Sequence, residues 1–168
     1  MFPQPFCIDT TMNEESSISP IRSAASEGVT ADPSRPARPF QLISRRLPNV
    51  YNSSGRDIEA LQRGKTWNPA FLHPEDLAML GLHDGDLVEI ASDHAAIVGV
   101  AEASDDVPHG VISMAHSWGD APEHDARVRE IGGATNRLVA NDRDFDPISG
   151  MARQSAIPVN VRRLAEAR

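Results

Sequence analysis

Between Asn68 and Ser92 the chain reads NPAFLHPEDLAMLGLHDGDLVEIAS, and the rest of the sequence is arranged around this stretch. Pro74-Glu75-Asp76 opens a short helix: proline suits a first helical turn, and two carboxylates there complement the positive end of the helix dipole. Leu77, Leu80 and, less regularly, Met79 supply an apolar side over roughly two turns. Gly81 ends the helix because it takes positive φ freely, and Leu82 is the hydrophobic contact that accompanies such a cap. His83-Asp84-Gly85-Asp86 is turn chemistry, and Leu87-Val88-Glu89-Ile90 is a strand that begins as the turn closes. None of these residues is catalytic by type. The stretch is a scaffold element, and its function has to come from what it holds.

Strands dominate the remainder. Phe40 to Ser44 is one, with Arg45-Arg46 at its end and the turn-rich loop LPNVYNSSGRD beyond it. Ile58 to Leu61 is a helical turn. Ala95 to Ala103 is mostly apolar and pairs with Leu87 to Ala91 across Ser92-Asp93-His94. Gly110 to Ala115 is a further strand, running into His116-Ser117-Trp118-Gly119 and then the acidic loop DAPEHDARVRE. Gly132 to Asn136 is a polar hinge, Asp146 to Gly150 a turn, and Ile157 to Val161 the last strand. This pattern is mainly β with short helices, a β-barrel carrying helices in its connections. Residues 1–38 mix proline, serine and acidic residues without a period, so a disordered N-terminal tail is expected, with partner docking as its alternative use. The barrel domain is expected over 39–163, with a C-terminal tail at 164–168.

Composition removes several function classes. Sixteen basic against 24 acidic residues leave a net charge of −8, which argues against a nucleic-acid or anionic-membrane surface as main partner. A single cysteine, Cys7, excludes an internal disulfide, a cysteine-held zinc site and an iron–sulfur cluster held by this chain alone. No apolar run is long enough to span a bilayer, and the N-terminus lacks the basic and apolar regions of a secretory signal, so a cytoplasmic location is expected.

Three polar segments carry chemistry. Arg45-Arg46 with Asn52-Ser53 suits a phosphate or carboxylate, since guanidinium forks and short amide or hydroxyl donors match such oxygens; the alternative is surface ion pairing. His116, Ser117 and Trp118 beside Gly119 suit a planar heterocycle, the alternative being a core-edge tryptophan beside an exposed histidine. Gly132-Gly133 brings backbone close to a ligand that Asn136 reads, or forms an ordinary loop. The six histidines occur at different turns with no HxxxH or HxH spacing, so no metal site is expected. Asp84-Gly85-Asp86 falls short of a calcium loop. No GxSxG elbow, phosphate-binding loop or GxGxxG is present.

Taken in order, LISRR with NSS, the Asn68–Ser92 stretch, GVISMAHSWG, GGATNRL, DPISG and MARQSAIPVNV resemble one family. It is the C-terminal molybdopterin dinucleotide-binding domain of molybdopterin oxidoreductases, the dimethyl sulfoxide reductase family. The resemblance spans Phe40 to Val161 and implies a double-psi β-barrel of the aspartate-decarboxylase-like kind. It further implies molybdopterin guanine dinucleotide as cofactor. Arg45, Arg46, Asn52 and Ser53 would lie on the first cofactor-facing loop, His116, Trp118 and Gly119 on the second, and Asn136 on the third. In such enzymes preceding domains supply the remaining cavity and any side-chain metal ligand. This chain is therefore expected to serve a molybdenum-dependent oxidoreductase beside a larger catalytic partner, with no catalysis of its own. The alternatives are a truncated relic or an interaction-only barrel. A free-standing pyruvoyl-dependent decarboxylase is excluded, because its self-cleavage needs a Gly-Ser bond and the chain has none.

Overall fold

The computed structural model describes residues 39–62, 65–116, 118–119 and 127–164. The expected N-terminal tail, and all but Leu164 of the C-terminal one, lie outside these residues. Among the described residues, β1 (Phe40–Arg45), β2 (Pro69–Leu72), β3 (Leu87–Ala91), β4 (Ala96–Ala103), β5 (Val111–Ala115) and β6 (Ile157–Arg163) form a closed barrel. Their hydrogen-bonded order is β1-β5-β2-β4-β3-β6, and β6 returns to β1 through Phe40 opposite Val159. Two pairs are parallel: β1 with β5, where Arg45 faces Ala115, and β2 with β4, where Ala70 faces Ala101. The remaining pairs are antiparallel. Parallel neighbours need crossover connections rather than hairpins. Their interleaving with antiparallel ladders gives the mixed double-psi barrel that the sequence led us to expect.

From His73 onward the organising stretch folds as read. After the single turn α1 (Glu59–Gln62), helix α2 (Pro74–Met79) has His73 as N-cap, and it ends on two Schellman hydrogen bonds, Leu82 N to Leu77 O at 2.9 Å and Gly81 N to Ala78 O at 3.0 Å. Leu77 and Leu82, joined by that motif, are both buried in the main core. The Asp-Gly turn then docks on β4, with Gly85 N donating to Ala101 O and Ala101 N to Asp86 O.

Inside the barrel the packing is aliphatic: Leu42, Leu72, Val88, Ile90, Ile112, Met114 and Val159 are fully enclosed, with Phe40 beside them. β1 and β6 alternate as strands covered on one face. β4 is buried on both faces over Ile97–Ala101, because Val98 and Val100 pack outward against Val128 of α3 (Val128–Ile131) and against Trp67 and Ile131. α3 and the 3-10 turn η1 (Thr135–Leu138) were not expected, and neither was β2. β2 escapes a pattern reading because it is four residues long and starts on proline. α3 is a single turn without a side-chain cap, held by its apolar contacts rather than by local signals.

The pairing sorts the loops into two ends. β1 and β5 finish together, and antiparallel β2 starts beside them, with Phe71 opposite Ser113. β6 enters at this end, Ile157 facing Leu42. The loops after Arg45 and Ala115, the hinge at Gly132 and the segment before β6 therefore share one end. The turns at 81–86 and 104–110 lie at the other.

At that second end Asp86 accepts from the His83 backbone N–H at 2.8 Å and from Arg163 at 2.7 Å. The His83 N–H, and then the Arg163 charge, hold its carboxyl below the ordinary 3.8 despite partial burial. A depressed folded-state value makes the carboxylate stabilising above pH 3.8 and removes that contribution as pH falls through the folded value. Asp86→Asn is expected to be less stable than the wild type at neutral pH and nearly equal to it in strong acid. Denaturant midpoints measured across that range check it; a constant gap would assign Asp86 no linked role.

Candidate functional site

Strand parity decides which arginine faces the opening. Ser44 and Arg46 lie on one side of β1 and its exit, whereas Arg45 points the other way, with its guanidinium carbon 4.4 Å from the centroid of the Phe71 ring. Arg45 enters the site through its backbone. The parallel register that sets Arg45 beside Ala115 brings His116 across, with Nδ1 3.1 Å from the Arg45 carbonyl oxygen.

The loop after β1 folds back at Tyr51–Ser54, whose backbones exchange hydrogen bonds of 3.1 and 2.9 Å. Asn52 occupies a left-handed position with φ of 53°, which asparagine tolerates better than most side chains. Its Oδ1 sits 2.9 Å from His116 Nε2 and accepts from Arg46 Nη1 at 3.2 Å. One amide oxygen thus joins the ends of two strands. Ser53, beside it in the turn, is exposed and is not among the residues lining the cavity.

Beneath His116 lies Asn68, fully buried at the start of β2. Its Nδ2 donates to Ala115 O at 2.7 Å and to Gly133 O at 3.2 Å, while its Oδ1 accepts from Ala115 N at 3.0 Å. That side chain ties the end of β5 to the glycine hinge, which places η1 opposite β1. Between them opens a cavity of about 470 Å³. Arg46, His116 and Ser44 form one wall; Thr135, Asn136 and Val139 form another; Asn141 and Gln154 complete the lining. No carboxylate is among these described lining residues, so a guanidinium, an imidazole and several amides face the space without a competing negative charge. Sequence reading missed Thr135, Asn141, Gln154 and Ser44. The last two are joined through the 2.6 Å bond from Ser44 Oγ to Gln154 O. The nearby DPISG turn closes on Asp146, whose Oδ1 accepts from Ser149 N and Ile148 N, and these bonds hold its carboxyl below the usual value.

Trp118 and Gly119 do not line the opening. Trp118 is 5% exposed, its Nε1 donating to Thr66 O at 3.2 Å, so it takes the core-edge position that the sequence offered as the alternative to stacking on a heterocycle. The indole packs on Gly132, where an added Cβ would sit 2.7 Å from Nε1. Gly119, at φ of 74°, lies against the Gly132 backbone. Both residues hold the second loop to the hinge.

A family model described as "Molydopterin dinucleotide binding domain" matches residues 40–158. No curated protein matches the chain. Among solved structures, acetylene hydratase from Pelobacter acetylenicus aligns with a TM-score of 0.63 at 18% identity, over 75% of this chain and 18% of that one. The present chain thus spans under a fifth of that protein's length, and the likeness is one of fold. Through the family match over most of its length, together with a closed barrel whose polar loops gather at one end, the chain belongs to the molybdopterin dinucleotide-binding domain family.

Proposed function

We propose that the barrel closes over the guanine form of molybdopterin dinucleotide while a larger catalytic chain or domain set encloses its other side. The observation that carries this reading is the joining, through Asn52, of Arg46 and His116 at the wall of the 470 Å³ opening that Asn136 faces from across. Arg46 suits the pyrophosphate, because a guanidinium pairs with such oxygens in fork geometry. Asn136 offers both a donor and an acceptor to a base edge. Ser53, the Arg45 backbone and the Trp118–Gly119 segment act by shaping these loops. When bound, the cofactor supplies molybdenum redox chemistry; this chain binds and orients it, and none of the residues named is a metal ligand. No helix among the described residues is long and apolar enough to cross a membrane, and we assign the activity to the cytoplasm.

A partner is supported by the apolar residues standing out on the segment before β6: Ile148 is 95% exposed and Met151 67%. Side chains of this type grouped around a site mark a surface that another protein covers. An isolated barrel forgoes enclosure on that side, so the purified chain is expected to bind guanosine diphosphate more weakly than micromolar, about −8 kcal/mol. Affinity purification from the native cell is expected to recover a larger molybdenum-containing protein. Ile148→Ser with Met151→Ser should lower that recovery, whereas Arg46→Ala should leave the partner bound and reduce its cofactor content severalfold. Recovery of the chain alone, with molybdoenzyme activities untouched by its deletion, would sink the subunit reading and leave a relic. A retained partner with unchanged cofactor content in both Arg46→Ala and His116→Ala would identify an interaction-only barrel.

A further inference from the structure

At the end of the barrel away from the cofactor face, the β2–α2 corner and the turn before β5 bring four chemically related side chains together. His73 and His109 have ring centroids 3.8 Å apart. Glu75 Oε2 is 3.5 Å from His109 Nε2. One ligand atom each from His73, Glu75 and His109 fall within 4.8 Å of one another. Behind them Asp76, 6% exposed, accepts from Gly110 N at 2.8 Å and places its other oxygen 3.3 Å from His109 Nδ1.

We propose that His73, Glu75 and His109 bind one zinc-class divalent cation, with Asp76 as the positioning residue for His109. A tetrahedral ion with arms of about 2.0–2.1 Å has ligand atoms about 3.4 Å apart, the separation His109 and Glu75 already show. A buried carboxylate on Nδ1 leaves Nε2 as the free lone pair, the arrangement that fixes the tautomer of a metal-bound histidine. Two imidazoles and one carboxylate suit Zn²⁺ or Co²⁺ rather than Ca²⁺ or Mg²⁺, which take oxygen shells. His73 caps α2 by accepting from Glu75 N at 3.2 Å. That N–H is exposed, so water satisfies it when the ring turns to the ion. Three protein ligands leave a fourth position to solvent. The site is separate from the cofactor opening by the length of β5, five residues or about 16 Å.

The full chain, freed of metal with a chelator, is titrated with Zn²⁺ by calorimetry and with Co²⁺ by visible absorption. One ion per chain is expected, with micromolar or tighter affinity and the ligand-field bands of four-coordinate cobalt. His109→Asn, at an exposed side chain, should weaken binding at least tenfold while circular dichroism shows an unchanged fold. Asp76→Asn keeps all three ligands and should weaken it about 10–100-fold. Paramagnetic broadening by Co²⁺ in the unmodified chain needs no variant and should centre on residues 73–76 and 108–111. Absence of binding below millimolar, unaltered affinity in the His73→Asn/His109→Asn pair, or broadening centred elsewhere would each overturn the site.

Discussion

Asn68→Ala is expected to destabilise the barrel by about 3 kcal/mol or more and to disorganise the polar opening with it. Three hydrogen bonds converge on this enclosed amide, to both backbone groups of Ala115 and to the carbonyl of Gly133. Alanine leaves those groups unpaired in a site without solvent access, and each unsatisfied buried group costs about 1–3 kcal/mol. Asn68→Asp is an informative companion. Its acceptor for Ala115 N survives, but the former donor becomes a carboxylate oxygen facing two carbonyl oxygens. We expect it to be at least as damaging as alanine. Guanidinium unfolding of the three proteins gives the comparison. A loss under about 1 kcal/mol for alanine would mean that a water takes over the amide's bonds.

Gly119→Ala is the second change with a large expected effect. A Cβ there would overlap the Gly132 backbone and stand 2.5 Å from the Ile131 carbonyl oxygen. Neither neighbour is the end of a flexible side chain, so loop and hinge must part. The left-handed backbone adds about 1–2 kcal/mol, and overpacking of a filled site adds about 1–3 kcal/mol. Gly85→Ala isolates the first of these, since Gly85 has φ of 87° and nothing within 4 Å of an added Cβ. The expected order is a small loss for Gly85→Ala and a loss at least 1 kcal/mol greater for Gly119→Ala, the latter with red-shifted Trp118 emission. Equal losses would show that the two segments are not in tight register.

These residues also mark where the sequence was readable. α2, its glycine stop and the β3–β4 pairing follow from local signals, because each needs only neighbours within a few positions. Arg46, Asn52, His116 and Asn136 were legible as polar residues on loops beyond strands; Arg46, His116 and Asn136 line one opening, and Asn52 bonds to the first two. Arg45 was misplaced as a cavity residue because the run of two arginines hides strand parity: adjacent positions face opposite ways. Trp118 could be read either way, because a loop tryptophan looks the same in sequence whether it stacks on a ligand or fills a niche; Gly132 supplies the niche. Asn68 gave no signal at all. Its partners lie 47 and 65 residues away, and an asparagine before proline reads as an ordinary turn.

The parallel pairing of β1 with β5 has a consequence for how such a site is inherited and lost. His116 meets Arg45 across 71 positions of chain and Asn52 across 64. No segment shorter than that span contains both halves of the junction, so a cut, an insertion that breaks the pairing or an exchange of one arm separates them completely. Between them lie α2 and the β3–β4 pair, which contribute no side chain to the opening. The junction is a property of ring closure: α2 and the β3–β4 pair can vary in sequence as long as Asn68 is kept and β5 returns to the same edge of β1.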